Sequence, residues 1–280
     1  MGDGCLDISA QTALCGIALH PAGHTRSPAM HNAAYAALGI DAVYVAFDVR
    51  PSDLANAVAG TRALGARQLS ISLPHKQTIM AHLDEVDATA RQIGAVNTVI
   101  RREDALFGSN TDWLGAVGAL ERETTLAGKR AVVLGAGGTA RAVVYGLLAQ
   151  GASVRVLNRT VEKARVLADE LGADDAGGLS ELSGNRVDVL VNATRVGLGE
   201  DVSPVEASQL PSEAVVMDAV YEPERTRLLR DAEARGARTV SGKWMLVHQA
   251  VAQLEAWTGR KAPIDVMAEA FDRAGSRRAP

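Results

Sequence analysis

An α/β fold in two domains, the second a doubly wound parallel sheet of the Rossmann type, follows from three features of the sequence. Apolar runs of strand length alternate with helical patterns along the chain, as expected of strands covered by helices. A buried strand, a glycine turn and a helix start follow one another in Ala131-Val132-Val133-Leu134-Gly135-Ala136-Gly137-Gly138-Thr139-Ala140, a dinucleotide fingerprint. This fingerprint lies mid-chain, behind a complete α/β unit, so a separate domain precedes it and a cleft between the two is expected.

The elements follow in order. Strands are predicted at Leu14–Leu19, Ala42–Phe47 and Gln68–Leu73, with helices at Pro28–Leu38 and Ser52–Leu64 between them. Ser27 before Pro28 reads as an N-cap with proline at the first helical position. Trp113–Glu123, rich in Ala, Leu and Gly, reads as the connecting helix, with Asp112 as a candidate N-cap. Beyond the fingerprint come strands at Ser153–Leu157, Val187–Val191, Val215–Asp218 and Arg238–Val240, and helices at Val161–Leu171 and Arg225–Arg235. The closing helices, Met245–Thr258 and Ile264–Ala274, are expected to return to the first domain. The domains are therefore residues 1–112 with 245–280, and 113–244, hinged near Asp112 and Gly242.

The fingerprint names a ligand. Gly135 permits the tight turn, Gly137 lets backbone N–H groups approach a pyrophosphate, and small Ala140 lets the helix pack on its strand. Phosphates belong at that helix N-terminus, where unpaired N–H groups and the helix dipole favour anions. An NAD-binding chain carries an acid at the end of the second strand, roughly 20 residues on. Here Asn158-Arg159-Thr160 occupies that tip, with Lys163 one turn into the next helix. A guanidinium and an ammonium suit a 2′-phosphate, so the expected cofactor is NADP(H).

Composition excludes other classes. The 280-residue chain is 47% hydrophobic and only 4% aromatic, which suits helices on buried strands. A formal net charge of −4 argues against a nucleic-acid partner. Cys5 and Cys15 are too few for a disulfide framework and lack metal-ligand spacing with histidine, so no metal is expected and a reduced, cytoplasmic protein is. The N-terminus, with Asp3 and Asp7, has no signal-peptide pattern, Gly2 lacks a myristoylation context, and no apolar run reaches membrane-spanning length. The first ten residues and 276–280 read as loose termini. No interface stripe fixes the assembly, which is a monomer or a homodimer.

Four polar clusters lie outside the fingerprint. In His24-Thr25-Arg26-Ser27-Pro28, hydroxyls at a helix N-terminus suit a carboxylate as well as a cap. In Ser70-Ile71-Ser72-Leu73-Pro74-His75-Lys76, hydroxyls alternate at strand period and a lysine follows the strand's carboxyl end, which in open α/β sheets faces the ligand crevice. The third comprises Gly94–Thr98 with Asn110-Thr111-Asp112, and the fourth Asp218–Pro223 with Gly242–Met245 and Gln249.

Together these segments resemble the shikimate dehydrogenase family, in order and over nearly the whole chain. The segments that carry the likeness are HTRSP with His31-Asn32, SLPHK, GAVNT, SNTDWLG, LGAGGTARA, NRT with Lys163, NATRVG, DAVYEPERT and GKWMLVHQA. The resemblance implies reversible, NADP-dependent reduction of 3-dehydroshikimate to shikimate in aromatic biosynthesis. It implies a small hydroxylated cyclic carboxylic acid as partner, its carboxylate held by Thr25 and Ser27 with Tyr221. It implies that Ser72, Asn97 and Gln249 meet ring hydroxyls and that Lys76 and Asp112 form the catalytic pair. Cofactor contacts are implied at Gly135, Ala136, Gly137, Gly138, Thr139, Ala140, Asn158, Arg159, Thr160, Lys163, Thr194, Val220, Gly242 and Met245. The chemistry is coherent, because a carbonyl oxygen that gains charge as hydride arrives needs a proton donor and a positive charge, and a lysine ammonium supplies both.

The departures from the family pattern fall mainly on the substrate side. Thr25 replaces the first carboxylate-binding serine, Ser70 and Ser72 replace asparagine and threonine of the usual NVTxP segment, Arg195 replaces a serine, and Lys243-Trp244 adds bulk beside Met245. Thr25 and Ser72 keep their hydroxyls and change volume by a methyl in opposite directions, worth roughly 1–3 kcal/mol in discrimination. Quinate, an aminoshikimate or another cyclic polyol acid thus stands beside shikimate, and a non-catalytic NADP-binding paralogue is the alternative outside enzymes. A folate-type dehydrogenase fits less well, since the substrate positions are hydroxyl-rich rather than aromatic.

Overall fold

A computed structural model describes residues 8–183 and 186–276. Cys5 and the terminal stretches 1–7 and 277–280, expected to be loose, lie outside the described residues. The chain divides into two compact units, residues 1–111 with 250–280, and residues 112–249.

The first unit opens with strand β1 (Ala13–Leu19), helix α1 (Ser27–Leu38), β2 (Ala42–Asp48), α2 (Leu54–Ala63) and β3 (Gln68–Ile71). Then come β4 (Glu85–Val86), α3 (Ala88–Ile93), β5 (Thr98–Arg102) and β6 (Ala105–Ser109). They form a six-stranded mixed sheet in the order β2-β1-β3-β5-β6-β4. β1 runs parallel to β2 and β3, and β5 is antiparallel to both β3 and β6. The β5–β6 hairpin does not emerge from the sequence reading. Its loop is Glu103-Asp104, with Glu103 in the left-handed region at φ 53°, so the usual Asn-Gly or Asp-Gly signal is missing.

Helix α2 is shorter than expected at both ends, β1 and β2 each gain a residue, and two further boundaries differ for a visible reason. Arg26, not Ser27, is the N-cap of α1, because Thr25 Oγ1 accepts the Ser27 N–H at 3.3 Å and draws Ser27 into the first turn. β3 stops at Ile71 rather than Leu73, since the His75 N–H donates to the Ser72 carbonyl at 2.9 Å and turns the chain.

The second unit contains α4 (Asp112–Leu120), β7 (Arg130–Leu134), α5 (Gly138–Ala149), β8 (Ser153–Leu157), α6 (Val161–Leu171) and β9 (Asp175–Gly177). β10 (Val189–Asn192), β11 (Val215–Asp218), α7 (Arg227–Ala234), β12 (Arg238–Val240) and α8 (Gly242–Thr258) follow. The six strands are all parallel, in the order β12-β11-β10-β7-β8-β9. Strand order reverses between β7 and β10, the switch point at which open sheets of this kind bind ligands. The central strands β7, β10 and β11 are buried on both faces: Val133, Val189 and Val191 meet one cluster, and Val132, Leu134 and Leu190 the other. This explains why they read as continuous apolar runs rather than alternating ones. β10 begins two residues later than expected, because the Asp188 side chain turns back to accept the Arg130 N–H at 2.9 Å.

The chain leaves the second unit within α8, and α9 (Ile264–Ser276) belongs to the first. Phe271 of α9 is fully buried and lies under the Arg26 guanidinium at 4.3 Å from its ring centroid, while Trp257 meets Tyr35 edge-on at 5.5 Å. Phe271→Ala should cost about 3–5 kcal/mol, through lost burial and the cavity left behind. Urea unfolding checks this, and a loss below about 1 kcal/mol would show that α9 is not integral to the core.

Candidate active site

At the switch point the glycine turn is held from two sides. The Gly135 N–H donates to the Leu157 carbonyl at 2.8 Å, and its φ of 117° is one that side chains rarely adopt. A Cβ at Gly135 would stand 3.1 Å from Thr194 Cγ2 and 3.2 Å from the Ala193 carbonyl, so the loops after β7 and β10 touch. Gly137, the extended N-cap of α5, has no side-chain cap, and a Cβ there would meet nothing within 4 Å. Backbone donors beside open space at the start of a 12-residue helix fit a pyrophosphate. Ala136 and Thr139 flank them half-buried, Gly138 is buried, and Ala140 is fully buried against the core.

The ribose end of such a ligand falls at β8. Arg159 and Lys163 are exposed, and among the described residues neither side chain has an ion-pair partner. Two uncommitted cations at this tip fit a 2′-phosphate. The Asn158 amide donates to the Thr160 carbonyl at 2.9 Å, shaping the loop, and Thr160 is the N-cap of α6.

The other end of the site rests on a buried polar cluster built on Asn192 and Asp218, residues to which the sequence assigns no individual role. Asn192 and Asp218 end β10 and β11 in register and are both fully buried. Asp218 Oδ1 accepts from Asn192 Nδ2 at 2.9 Å and from the Val220 N–H at 3.0 Å, and Oδ2 accepts from the Thr226 hydroxyl at 2.7 Å. Asn192 Oδ1 accepts from both the N–H and the hydroxyl of Thr194, at 3.0 and 2.7 Å. Thr226 also caps α7, accepting the Leu229 N–H at 3.3 Å. One carboxylate thus fixes the loops that carry Thr194, Val220 and half-buried Tyr221. Gly242 completes this corner, since a Cβ there would strike the carbonyl oxygens of Val220, Ala219 and Asp218 at 2.6–2.8 Å. Met245, one turn further along α8, is buried, as is Gln249.

In the first unit, the Thr25 hydroxyl donates to the Ser27 hydroxyl at 3.2 Å, so the two expected carboxylate ligands are paired and both buried. Ser72, half-buried, opens the turn that leads to Lys76. Lys76 retains only 9% of its surface, its carbonyl accepting the Val96 N–H at 2.7 Å. Next to it in sequence, the His75 ring is anchored to the Val49 carbonyl at 2.8 Å. Asn97 is buried with its amide clasped by Thr111: Oδ1 accepts the Thr111 N–H at 2.7 Å and Nδ2 donates to the Thr111 hydroxyl at 3.0 Å. Asp112 is buried and opens α4 of the second unit as its first residue.

A parallel sheet reversed at a glycine turn, with a cationic tip and an α/β unit ahead of it, defines a class: a Rossmann-type, NADP-binding oxidoreductase with a distinct substrate domain. Comparison with known proteins narrows the class. Residues 17–99 match the family model of the shikimate dehydrogenase substrate binding domain, 118–197 that of shikimate/quinate 5-dehydrogenase, and 242–270 that of the shikimate 5′-dehydrogenase C-terminal domain. The NADP(+) shikimate dehydrogenase of Thermococcus kodakarensis is 45% identical over 258 residues, covering 90% of this chain and 93% of that one. A shikimate dehydrogenase solved with NADP+ superposes with a TM-score of 0.92 at 40% identity, covering 98% of this chain and 99% of that one. The shikimate 5-dehydrogenase of Thermus thermophilus, solved with NADP(H) and shikimate, gives a TM-score of 0.88 at 40% identity, with 94% and 100% covered. The chain belongs to the shikimate dehydrogenase family.

Among the described residues no helix is long and apolar enough to cross a membrane, and no group of three or more His, Cys, Asp or Glu is placed to hold a metal.

Burial pushes the Asp218 carboxyl up to about 6, against the pull of its donors Thr226, Val220 N–H and Asn192. The folded state therefore binds this proton more tightly than the unfolded chain, whose carboxyl keeps its ordinary value of 3.8, and folding gains stability as pH falls through that window. The stability of the wild type minus that of Asp218→Asn should grow by on the order of 2–3 kcal/mol from pH 7 to pH 4, at about 1.4 kcal/mol per unit. Thermal unfolding across that range reads it, and a difference independent of pH would refute the assignment.

Proposed function

We propose that this protein is an NADP-dependent dehydrogenase that interconverts 3-dehydroshikimate and shikimate. One observation carries the reading: within a match to NADP-dependent shikimate dehydrogenases over nine tenths of the chain, a lysine at 76 and an aspartate at 112 are both buried. Burying an ammonium or a carboxylate without a functional or paired environment is costly, so buried ionisable groups of this kind mark a candidate functional site.

The turn Gly135–Ala140 holds the cofactor's pyrophosphate, Arg159, Thr160 and Lys163 its phosphorylated ribose, with Asn158 shaping that tip, and Thr194, Val220, Gly242 and Met245 its nicotinamide end. When bound, the nicotinamide donates or accepts the hydride. On binding, the Thr25 hydroxyl turns from Ser27 so that both hydroxyls donate to the substrate carboxylate, with Tyr221 as a third donor. Ser72, Asn97 and Gln249 meet ring hydroxyls, and the rigid clasp of Thr111 on Asn97 keeps that amide pre-organised. Lys76 Nζ delivers its proton to the carbonyl oxygen as that oxygen becomes an alcohol. Asp112 orients the ammonium and accepts a ring hydroxyl. In the oxidative direction the proton returns to Lys76.

Hydroxyl-to-hydroxyl selectivity follows, because a site built of polar groups rejects a ligand that leaves them unpaired far more strongly than an apolar pocket does. Purified protein should reduce NADP+ with shikimate in preference to quinate or an aminoshikimate, and Lys76→Ala should lower kcat by about 10²-fold or more, the usual scale of a lost general acid–base. Turnover that survives Lys76→Ala, or a clear preference for another acid, overturns the reading. The cofactor assignment is tested separately. Arg159→Ala combined with Lys163→Ala should raise KM for NADP+ by about tenfold or more, one charge-assisted contact being worth ~1.5–3 kcal/mol, while KM for NAD+ stays within about twofold.

A further inference from the structure

Ser70 is buried at 3% exposure and is wholly engaged in the interior of the first unit. Its hydroxyl accepts from Tyr44 Oη at 2.6 Å and from Gln68 Nε2 at 3.0 Å, and it donates to Gln253 Oε1 at 2.9 Å. One proton and two lone pairs are thereby used up. Gln253, on α8 and 1% exposed, spends the other end of its amide on the backbone: Nε2 donates to the Asn97 carbonyl at 3.1 Å.

The direction of every bond in this chain is forced. A carbonyl only accepts, so Gln253 must present its nitrogen to Asn97 and its oxygen to Ser70, Ser70 must give its proton to Gln253, and Tyr44 must give its own to Ser70. Burial raises the Tyr44 phenol well above its ordinary range and so keeps that proton in place. Tyr44 is itself fixed, its ring stacked on His31 at 4.2 Å and its backbone held by Asn32 at 2.8 and 2.9 Å.

The chain of bonds ends on a residue with a proposed role in binding. The Asn97 carbonyl also accepts the Ile71 N–H at 2.8 Å, and the Asn97 N–H donates to the Ser109 carbonyl at 3.1 Å. Those two partners are backbone. Gln253 grips the Asn97 main chain through its side chain, as Thr111 grips the Asn97 amide.

We propose that Gln253, braced by Ser70 and Tyr44, is a positioning residue that sets where Asn97 stands and thereby how tightly a ring hydroxyl is bound. The inference rests on the reading of Asn97 as a hydroxyl ligand. Gln253→Met preserves length and removes both hydrogen-bonding ends. It should raise KM for shikimate by about fivefold or more, the effect of one misplaced hydrogen bond, and leave KM for NADP+ within about twofold. A merely structural role lowers active enzyme and kcat without splitting the two KM values.

Asn97→Ala, measured alongside, separates the possible failures. If it raises KM for shikimate and Gln253→Met does not, the positioning role is wrong. If neither does, the reading of Asn97 is wrong. Should Gln253→Met not fold by circular dichroism, Ser70→Ala decides, since it removes a single oxygen. A rise of about twofold or more in KM for shikimate alone supports the role, and an unchanged KM overturns it.

Discussion

The carboxyl ends of parallel strands are where this molecule concentrates its constraints, and the Asn192–Asp218 pair is the one on which the rest depends. Two neighbouring strands, buried throughout, each end in a polar residue at the same register position. Neither side chain reaches water, so each must find partners in the loops that leave the strands. They do so by taking the Thr194 and Val220 N–H groups and the Thr194 and Thr226 hydroxyls. The loop conformations are therefore determined by the need to satisfy groups at the sheet's edge. Gly242 is forced by the same geometry, because only a residue without Cβ fits beneath three converging carbonyls.

The first unit solves a similar problem with neutral groups. Its sheet changes from parallel to antiparallel at β3–β5, and Asn97 lies where the chain enters β5. Carbonyl, N–H and amide of Asn97 are each bound by a different element, so its position is over-determined. Over-determination of this kind is what pre-organised recognition of a polyol requires, since a polar contact misplaced by an ångström loses most of its value.

Much of this is legible in the sequence, and the boundary of legibility is physical. The central parallel strands of the second unit show as apolar runs, and α6 and β8 fall at their expected limits, because amphipathic and fully buried patterns are local signals, whereas the short strand β9, Asp-Ala-Gly, carries no such run and is not read. The glycine turn and its cationic tip are readable for the same reason. The β5–β6 hairpin is not, since its turn carries Glu103 in place of a glycine or asparagine. Ser27 reads wrongly as a cap because the competing hydroxyl of Thr25, two residues earlier, has the same chemistry. The roles of Asn192, Asp218, Thr226 and Gln253 are hidden for a different reason. Their side chains act through partners 8 to 183 positions away or through a nearby loop amide, and no single-chain period encodes such pairings. What does signal the strand-end pair is a polar residue closing an apolar strand, VLVN and VVMD, which costs free energy unless satisfied.

The saturation of Ser70 has a consequence for how this protein varies over generations. A hydroxyl with no unused bonding capacity, tied to two side chains from different elements, resists change one residue at a time. Removing the Tyr44 hydroxyl, the Ser70 hydroxyl or the Gln253 amide alone leaves a buried partner unpaired. Change at 44, 70 and 253 is therefore coupled, since concerted replacement avoids the unpaired group that each single substitution leaves.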